Sequence, residues 1–501
     1  MKFGDTRAMR EMDRYAIEDL GIPGETLMLR AAQGAAGEAR RMLEGSPGPV
    51  LVLCGSGNNG GDGIGVAALL RESGQEVCCC MVGAEEKLSR DSRVMLERLR
   101  AAGGQLTEYP GTEILEKPWA LVVDALFGTG LSRPIAGAYA ALITALNKKR
   151  VPVLACDIAS GIHGDSGEIL GCAVKASVTV TFHLPKTGQL LPPGTEYTGR
   201  LVVHDIGIPA AAQDRVALEG DYITEDMVRS WLPSPKLESH KGDLGKVLMV
   251  CGSTGFTGAA AMAAQAALRT GAGLVYLAVP EPVYPIVAGK LEEPVVFPMP
   301  ATGNGRFARS GVPELQGRLR DMDACLVGPG MGRSDDTEAV VYGILEAATC
   351  PVILDADGIN VLAGHIDRLD KVSVPVILTP HQGEFQRIGG DLTKDRITAA
   401  REMAEKTGGV IVLKGYRTVV AGPDGRVYVN STGNPGMATG GSGDVLSGIL
   451  TCLVGQGMEP VQAAAAAVWI HGAAGDAAAA RLGIRSMLPT DMIGALSEIL
   501  M

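Results

Sequence analysis

The stretch LVLCGSGNNGGDGIGVAALLRESG, residues 51–74, narrows the folds open to this chain more than any other. An apolar, β-prone run ends in Gly55, Gly57 and Gly60, spaced G-x-G-x-x-G, and a helix-like segment follows. That spacing is the fingerprint of a dinucleotide-binding turn. A strand feeding a helix in this way implies right-handed crossovers and a mostly parallel sheet. The alternation recurs, with strands expected at 50–54, 76–82, 120–124, 151–157, 176–182 and 200–204 and helices at 62–73, 89–102 and 134–147. Gly74 and Gly103 stand where helix C-caps favour glycine.

A second series follows residue 240. Strands are expected at 246–251, 274–279, 324–328, 352–355, 376–379 and 410–414, with a hairpin over 417–430 turning at Pro423-Asp424-Gly425. Between the series, WLPSPKLESHKGDLG (231–245) holds two prolines and no periodicity, so a junction is expected within 210–240. A chain of 501 residues is also too long for one ordinary core. The reading is an α/β chain of two domains, 1–215 and 221–501, both doubly wound. The apolar segment 461–480 is mostly alanine but carries His471 and Asp476, and reads as a buried helix rather than a span.

Composition removes several classes of function. The net charge of −11 argues against general affinity for nucleic acid or anionic membrane. Aromatic residues, at 4%, offer little for base stacking. Charges at Lys2, Asp5, Arg7, Arg10, Glu11 and Asp13 break up any signal peptide. The ten cysteines form no C-x-x-C pair and read as buried thiols of a reducing compartment. A cytoplasmic homo-oligomer is expected, acting on a small molecule.

In open parallel sheets, ligands bind beyond the carboxyl ends of the strands. Three such ends, GSGNNGGDG (55–63), VVDALFGTGLSRP (122–134) and CDIASGIHGDSGE (156–168), bring Asp62, Asp124 and Asp157 to one crevice with oxygens from Asn58, Asn59, Thr129 and Ser160. So many carboxylates ill suit a bare pyrophosphate, but they suit a hard monovalent or divalent cation. Gly128-Thr129-Gly130 offers amides to a phosphate, and Arg133 adds positive charge. The site reads as one for a phosphorylated ligand plus a cation, with a carboxylate left for acid–base work. A tight turn without ligand is the plainer reading of the glycines alone.

Together these segments resemble the NAD(P)H-hydrate epimerase family over about residues 1–215, with Ala159 where that family usually has proline. The resemblance implies a Rossmann-like sheet. It implies that Asn58, Asn59, Gly60, Gly61 and Asp62, with Gly128, Thr129, Gly130, Leu131, Ser132, Arg133 and Pro134, hold a hydrated nicotinamide nucleotide. It further implies that Asn59, Asp124 and Ser160 ligate potassium. Asp157 is implied to contact the substrate and to be the acid–base group.

In NPGMATGGSGDVLSGIL (434–450), the glycine-rich residues 439–443 open a helix whose N-terminus can bind an anion. Asp444 either caps that helix or, as a base, takes the proton of a hydroxyl attacking a phosphoryl group. The loop resembles the anion hole of ribokinase-like kinases. HKGDLGKVLMVCGSTGFTGAAAMAAQAALRTGAG (240–273), VGPGMG (327–332), LDADGIN (354–360), LTPHQGEF (378–385) and VLKGYRT (412–418) narrow the resemblance to ADP/ATP-dependent NAD(P)H-hydrate dehydratases over about residues 221–501. The implied fold is a ribokinase-like α/β domain. The implied substrate contacts are Ala259, Gly330, His381 and Asp444, and the implied nucleotide contacts are Lys414, Gly415, Tyr416, Arg417, Thr418 and Gly443. Asp355 and Asp357 could hold magnesium, or serve as caps.

The two resemblances imply a fused enzyme that repairs NADH or NADPH carrying water across a ring double bond. One domain interconverts the R and S hydrates; the other dehydrates the S form with ADP or ATP. The alternative is a vitamin or sugar kinase with a ligand-binding first domain. A non-catalytic first domain would be expected to lack Asp62, Asp124 and Asp157, and all three are present.

Overall fold

Seven strands between residues 50 and 204 pair in parallel in the order Leu106–Glu108, Val77–Met81, Val50–Cys54, Leu121–Ala125, Val153–Cys156, Val178–Phe182, Arg200–His204. The computed structural model describes residues 1–234 and 236–501. The chain divides into units Lys2–Gly220 and Asp221–Met501, Met1 grouping with the second. The expected strands are present, within a residue or two at their ends. The edge strand Leu106–Glu108 was not expected, because three residues carry no readable alternation. Helices Thr6–Arg14 and Gly24–Leu43 also lay outside the sequence reading. The latter buries Leu27, Met28, Ala31, Ala32, Ala35, Ala36 and Ala39, a stripe of helical period made mainly of alanine.

The helix expected from residue 62 starts at Asn58, so the glycine-rich turn is itself the first helical turn. Close approach explains the glycines. A Cβ on Gly60 would lie 1.7 Å from the Gly55 carbonyl oxygen, and one on Gly63 would lie 2.4 Å from the Ala125 Cβ. The helix is pressed against the ends of two neighbouring strands. The helix expected from residue 134 begins later, at Gly137.

In the second unit the order is Val427–Val429, Val419–Ala421, Val410–Leu413, Val376–Leu378, Val352–Leu354, Ala324–Val327, Lys246–Val250, Leu274–Pro280, Val295–Met299. All these pairs are parallel except the two made by Val419–Ala421, the inner strand of the hairpin. The segment 461–480 lies within the helix Pro460–Leu482, which is largely buried. Among the described residues no helix is long and apolar enough to cross a membrane. The junction stretch is less irregular than expected: Ala210–Gln213 and Glu225–Trp231 are helical and Gly220–Tyr222 is a strand. Its second proline, Pro235, lies outside the described residues. All ten cysteines are free.

Each sheet reverses its winding at one point: between Val50–Cys54 and Leu121–Ala125 in the first unit, and between Lys246–Val250 and Ala324–Val327 in the second. Helices leave to opposite faces there, and the loops part. Gly60→Ala should lower stability by about 3 kcal/mol or more, since the clash is with backbone that cannot move aside. Thermal unfolding of the intact variant checks this; an unchanged transition would mean that the helix can retreat.

Candidate active sites

At the reversal point of the first unit a cavity of about 1160 Å³ is lined by Asn58, Asn59 and Asp62, by residues 128–134, and by Asp157 and Lys186. Gly60 and Gly61 do not line it, because they are spent on packing the helix: a Cβ on Gly61 would meet the Ser92 hydroxyl at 2.3 Å. Asp124 and Ser160 also lie behind the wall rather than in the crevice. The Asp124 carboxylate accepts from the Ser160 backbone N–H at 2.8 Å and from its hydroxyl at 2.6 Å. Burial pushes that carboxyl up to about 6, against the bonds from Ser160 and Leu126. Asn59 is buried, and neither its amide oxygen nor its amide nitrogen has a hydrogen-bond partner among the described residues.

Asp157 has φ of 63°, a left-handed conformation that a residue with a side chain adopts only under constraint. The constraint is visible. The Lys186 ammonium donates to Asp157 Oδ1 at 2.5 Å, to Thr181 Oγ1 at 2.8 Å and to the Phe182 carbonyl at 3.0 Å. Gln189 Nε2 donates to the Asp157 carbonyl at 2.6 Å. Burial pushes the Asp13 and Asp62 carboxyls up, and the Asp157 charge pushes the same way on both. Sequence reasoning missed Lys186. The signal was there: one lysine in the otherwise uncharged run LPKTGQLL, just after a strand.

In the second unit, helix Ser442–Gly455 is preceded by Gly441 at φ 101°, with no side-chain cap. Asp444, in the first turn, makes no hydrogen bond among the described residues, so the capping alternative does not hold. Burial raises its carboxyl to about 7; Asp355 adds to this and Lys414 opposes it. Asp355 is buried and accepts from Lys414 Nζ at 2.7 Å, Thr379 Oγ1 at 2.8 Å and Ser447 Oγ at 2.7 Å. Burial works against its charge, but Lys414 and the two hydroxyls hold it below the ordinary value. Burial likewise opposes the charge on Lys414, while Asp355 and Glu384 hold its pKa above the usual value. Ser447 also donates to the Gly443 carbonyl, which ties the helix start to this buried pair.

His381 caps the helix Gln382–Arg387: its Nδ1 accepts from the backbone N–H of Gly383 at 3.0 Å and Glu384 at 3.3 Å, leaving the ring 57% exposed. Gly330 lies against the start of helix Thr257–Thr270, where an added Cβ would be 3.1 Å from the Ala259 Cβ and 2.8 Å from that of Phe256. Phe256 is exposed beside them, an aromatic that the motifs did not single out. In the 414–418 segment, Arg417 donates to the Tyr222 hydroxyl and the Ser431 carbonyl, both at 2.8 Å, and Thr418 donates to the Gly415 carbonyl at 2.9 Å. Those side chains are turned inward, while Tyr416 is exposed.

Asp355 and Asp357 have different partners. Ala356, at φ 50°, separates them, and Asp357 Oδ2 accepts from the Gly332 N–H at 2.8 Å. Among the described residues no three His, Cys, Asp or Glu side chains gather as a metal cluster. His471, which the sequence reading placed in a buried helix without a role, is half-buried, lowered by desolvation to about 4, and donates from Nε2 to the Ser442 carbonyl at 2.9 Å.

Known proteins match both units. A family described as NAD(P)H-hydrate dehydratase matches residues 247–498, and one described as YjeF-related protein N-terminus matches residues 24–188. The bifunctional NAD(P)H-hydrate repair enzyme of Moorella thermoacetica is 41% identical, over 98% of this chain and 95% of its own. That of Escherichia coli K12 is 34% identical, over 98% and 92%. The ADP/ATP-dependent NAD(P)H-hydrate dehydratase of Bacillus subtilis, co-crystallised with ATP and Mg2+, is 34% identical with a TM-score of 0.50, over 56% of this chain and 98% of that one. A ribokinase-like superfamily protein of Enterococcus faecalis is 26% identical with a TM-score of 0.50, over 56% and 95%.

Asp444→Asn should raise the melting temperature at pH 8. A carboxyl raised on folding destabilises the fold most where it must ionise, above about pH 7. The gain should shrink as pH falls from about 7 toward 4 and vanish below about pH 3, where both states are protonated. A gain that stays constant with pH would contradict the raised carboxyl.

Proposed function

The chain belongs to the bifunctional NAD(P)H-hydrate repair enzymes, and on that premise we propose that residues 1–215 epimerise the hydrates of NADH and NADPH while residues 221–501 dehydrate the S form. The enzyme is an isomerase and a nucleotide-dependent lyase. For the second activity the supporting observation is Asp444: a carboxyl without a hydrogen bond among the described residues, raised to about 7, in the first turn of a helix that follows Gly440 and Gly441. A hydroxide ion leaves a ring carbon poorly. Phosphorylation turns it into phosphate, which departs as the neighbouring C–H proton is lost and the ring double bond returns. In this reading Asp444 takes the hydroxyl proton, and the amides of residues 440–443 take up charge on the transferred group. Lys414 anchors to Asp355 and keeps a positive charge beside that carboxyl. His381, Ala259 and Gly330 would contact the hydrate, and Gly415, Tyr416 and Gly443 the nucleotide. We take ADP as the donor, with ATP able to replace it. Magnesium would be held chiefly by nucleotide phosphates, since Asp355 is already engaged by three donors.

For the first unit we assign Asn58, Asp62 and residues 128–134 to the nucleotide and Asp157 to proton transfer. The donor set fits potassium: a buried Asn59 amide oxygen without a partner lies next to Gly128, whose own loop joins Asp124 to Ser160 through Phe127. Asn59, Asp124 and Ser160 would hold the ion, which when bound supplies positive charge to a phosphorylated ligand. A cytoplasmic homo-oligomer remains our reading, in keeping with ten free thiols.

Chemically hydrated NADH, supplied with ADP or with ATP, should regain the absorbance of the reduced nicotinamide ring. Asp444→Asn should cut this by about 100-fold or more without touching R-to-S exchange. Parental dehydration should fall as pH drops below about 7, because the base must be ionised. A near-parental variant would remove Asp444 from the chemistry, and joint loss of both activities would contradict two separate sites. Exchange itself should need potassium, and Asp124→Ala should raise the concentration of the ion required; equal rates in potassium-free buffer would end the cation assignment.

A further inference from the structure

The first unit's cavity is lined by four carboxyls, Asp13, Asp62, Asp91 and Asp157, and by the cations Arg10, Lys87, Arg133 and Lys186, and they are not equivalent. Asp157 is tied to Lys186, whose other donors go to Thr181 Oγ1 and the Phe182 carbonyl. Asp62 is the fifth residue of helix Asn58–Glu72, lines the cavity at 9% exposure, and has neither a hydrogen bond nor an ion pair among the described residues. Asp13 lines the same cavity from helix Thr6–Arg14. Lys186 bonds to Asp157 and makes no bond to Asp62, so burial and the facing carboxyls of Asp157 and Asp13 favour the protonated form of Asp62, with Lys186 opposing them from a distance.

We propose that epimerisation runs on two carboxyls in opposite states: Asp62 gives a proton to the departing hydroxyl, and Asp157 takes one from the water that returns on the other face of the ring. This deepens the epimerase reading and rests on it. The hydroxyl stands on a carbon bonded to the ring nitrogen. As Asp62 protonates its oxygen, the C–O bond breaks, its electron pair leaves with water, and the nitrogen lone pair forms a C=N+ bond. Water then adds from the opposite side, the C=N π pair returns to nitrogen, and the spare proton passes to Asp157. Nothing is oxidised or reduced. One proton has moved from Asp62 to Asp157, and its return through cavity water resets the pair. The reverse reaction exchanges the roles. A single carboxyl would have to reach both faces of the ring; two carboxyls on different elements need not move. Two carboxyls in different surroundings are a familiar way to divide acid and base work.

The test uses the intact chain, one hydrate epimer in excess, potassium buffer and 18O-labelled water, with the uncatalysed rate subtracted. The parent should exchange R and S while labelling the hydroxyl. Asp62→Asn should lose both exchange and labelling by about 100-fold or more, with the loss in kcat and KM within a few-fold. Its melting temperature should hold or rise, since an amide replaces an acid crowded by two others. If that variant does not fold, Asp62→Ser is judged by the same rates. Asp62→Asn exchanging within two-fold of the parent overturns the proposal and leaves the epimerase reading standing. So does a loss confined to KM, which makes Asp62 a binding residue, or parental exchange without label. A parent that exchanges nothing overturns the epimerase reading itself.

Discussion

Both units depend on the same constraint. Crossovers between parallel strands are right-handed, so a sheet that grows to both sides of a central strand must send its helices to opposite faces. Between Val50–Cys54 and Leu121–Ala125, and again between Lys246–Val250 and Ala324–Val327, the loops beyond the strands part because of it. A gap results without any residue being selected to open it. The strand ends then deliver short polar side chains to its rim. The apolar strands themselves stay free of charge up to their last residues, as VLVLC at 50–54 illustrates.

At each gap a lysine is held by a carboxylate that ends or follows a strand: Lys186 by Asp157, and Lys414 by Asp355. A buried pair of this kind adds little to stability, since desolvation offsets the attraction. It fixes where charge resides. In the second unit Asp444 is then an acid with a raised carboxyl and no bonded cation, and in the first Asp62 is another. The backbone carries a share of the cost: the non-glycine residues with positive φ are Asp157, His183, Ala356 and Arg417, of which Asp157 and His183 line the cavity and Ala356 and Arg417 flank Asp355 and Lys414. Strain of this sort persists where surrounding contacts over-determine it.

Periodicity made the central strands legible because each is an unbroken apolar run, and glycine spacing marked both strand-to-helix turns. Three things were not legible. The glycines at 60 and 61 read as ligand contacts; that a Cβ there would meet the Gly55 carbonyl and the Ser92 hydroxyl was hidden, because a sequence does not say which neighbour crowds a missing Cβ. Asp124 and Ser160 read as part of the crevice, yet they bond to each other behind it, a difference of one layer that no spacing encodes. Lys186 and Ser447 were passed over because their partners are distant in sequence: Asp157 is 29 residues from the first and Asp355 is 92 from the second.

The three bonds of Lys186 have a chemical consequence. An ammonium group has three N–H bonds, and here each has its own acceptor. Turning that nitrogen toward a ligand would break at least one of these bonds, so Lys186 is a fixed post in the cavity wall rather than a reaching arm.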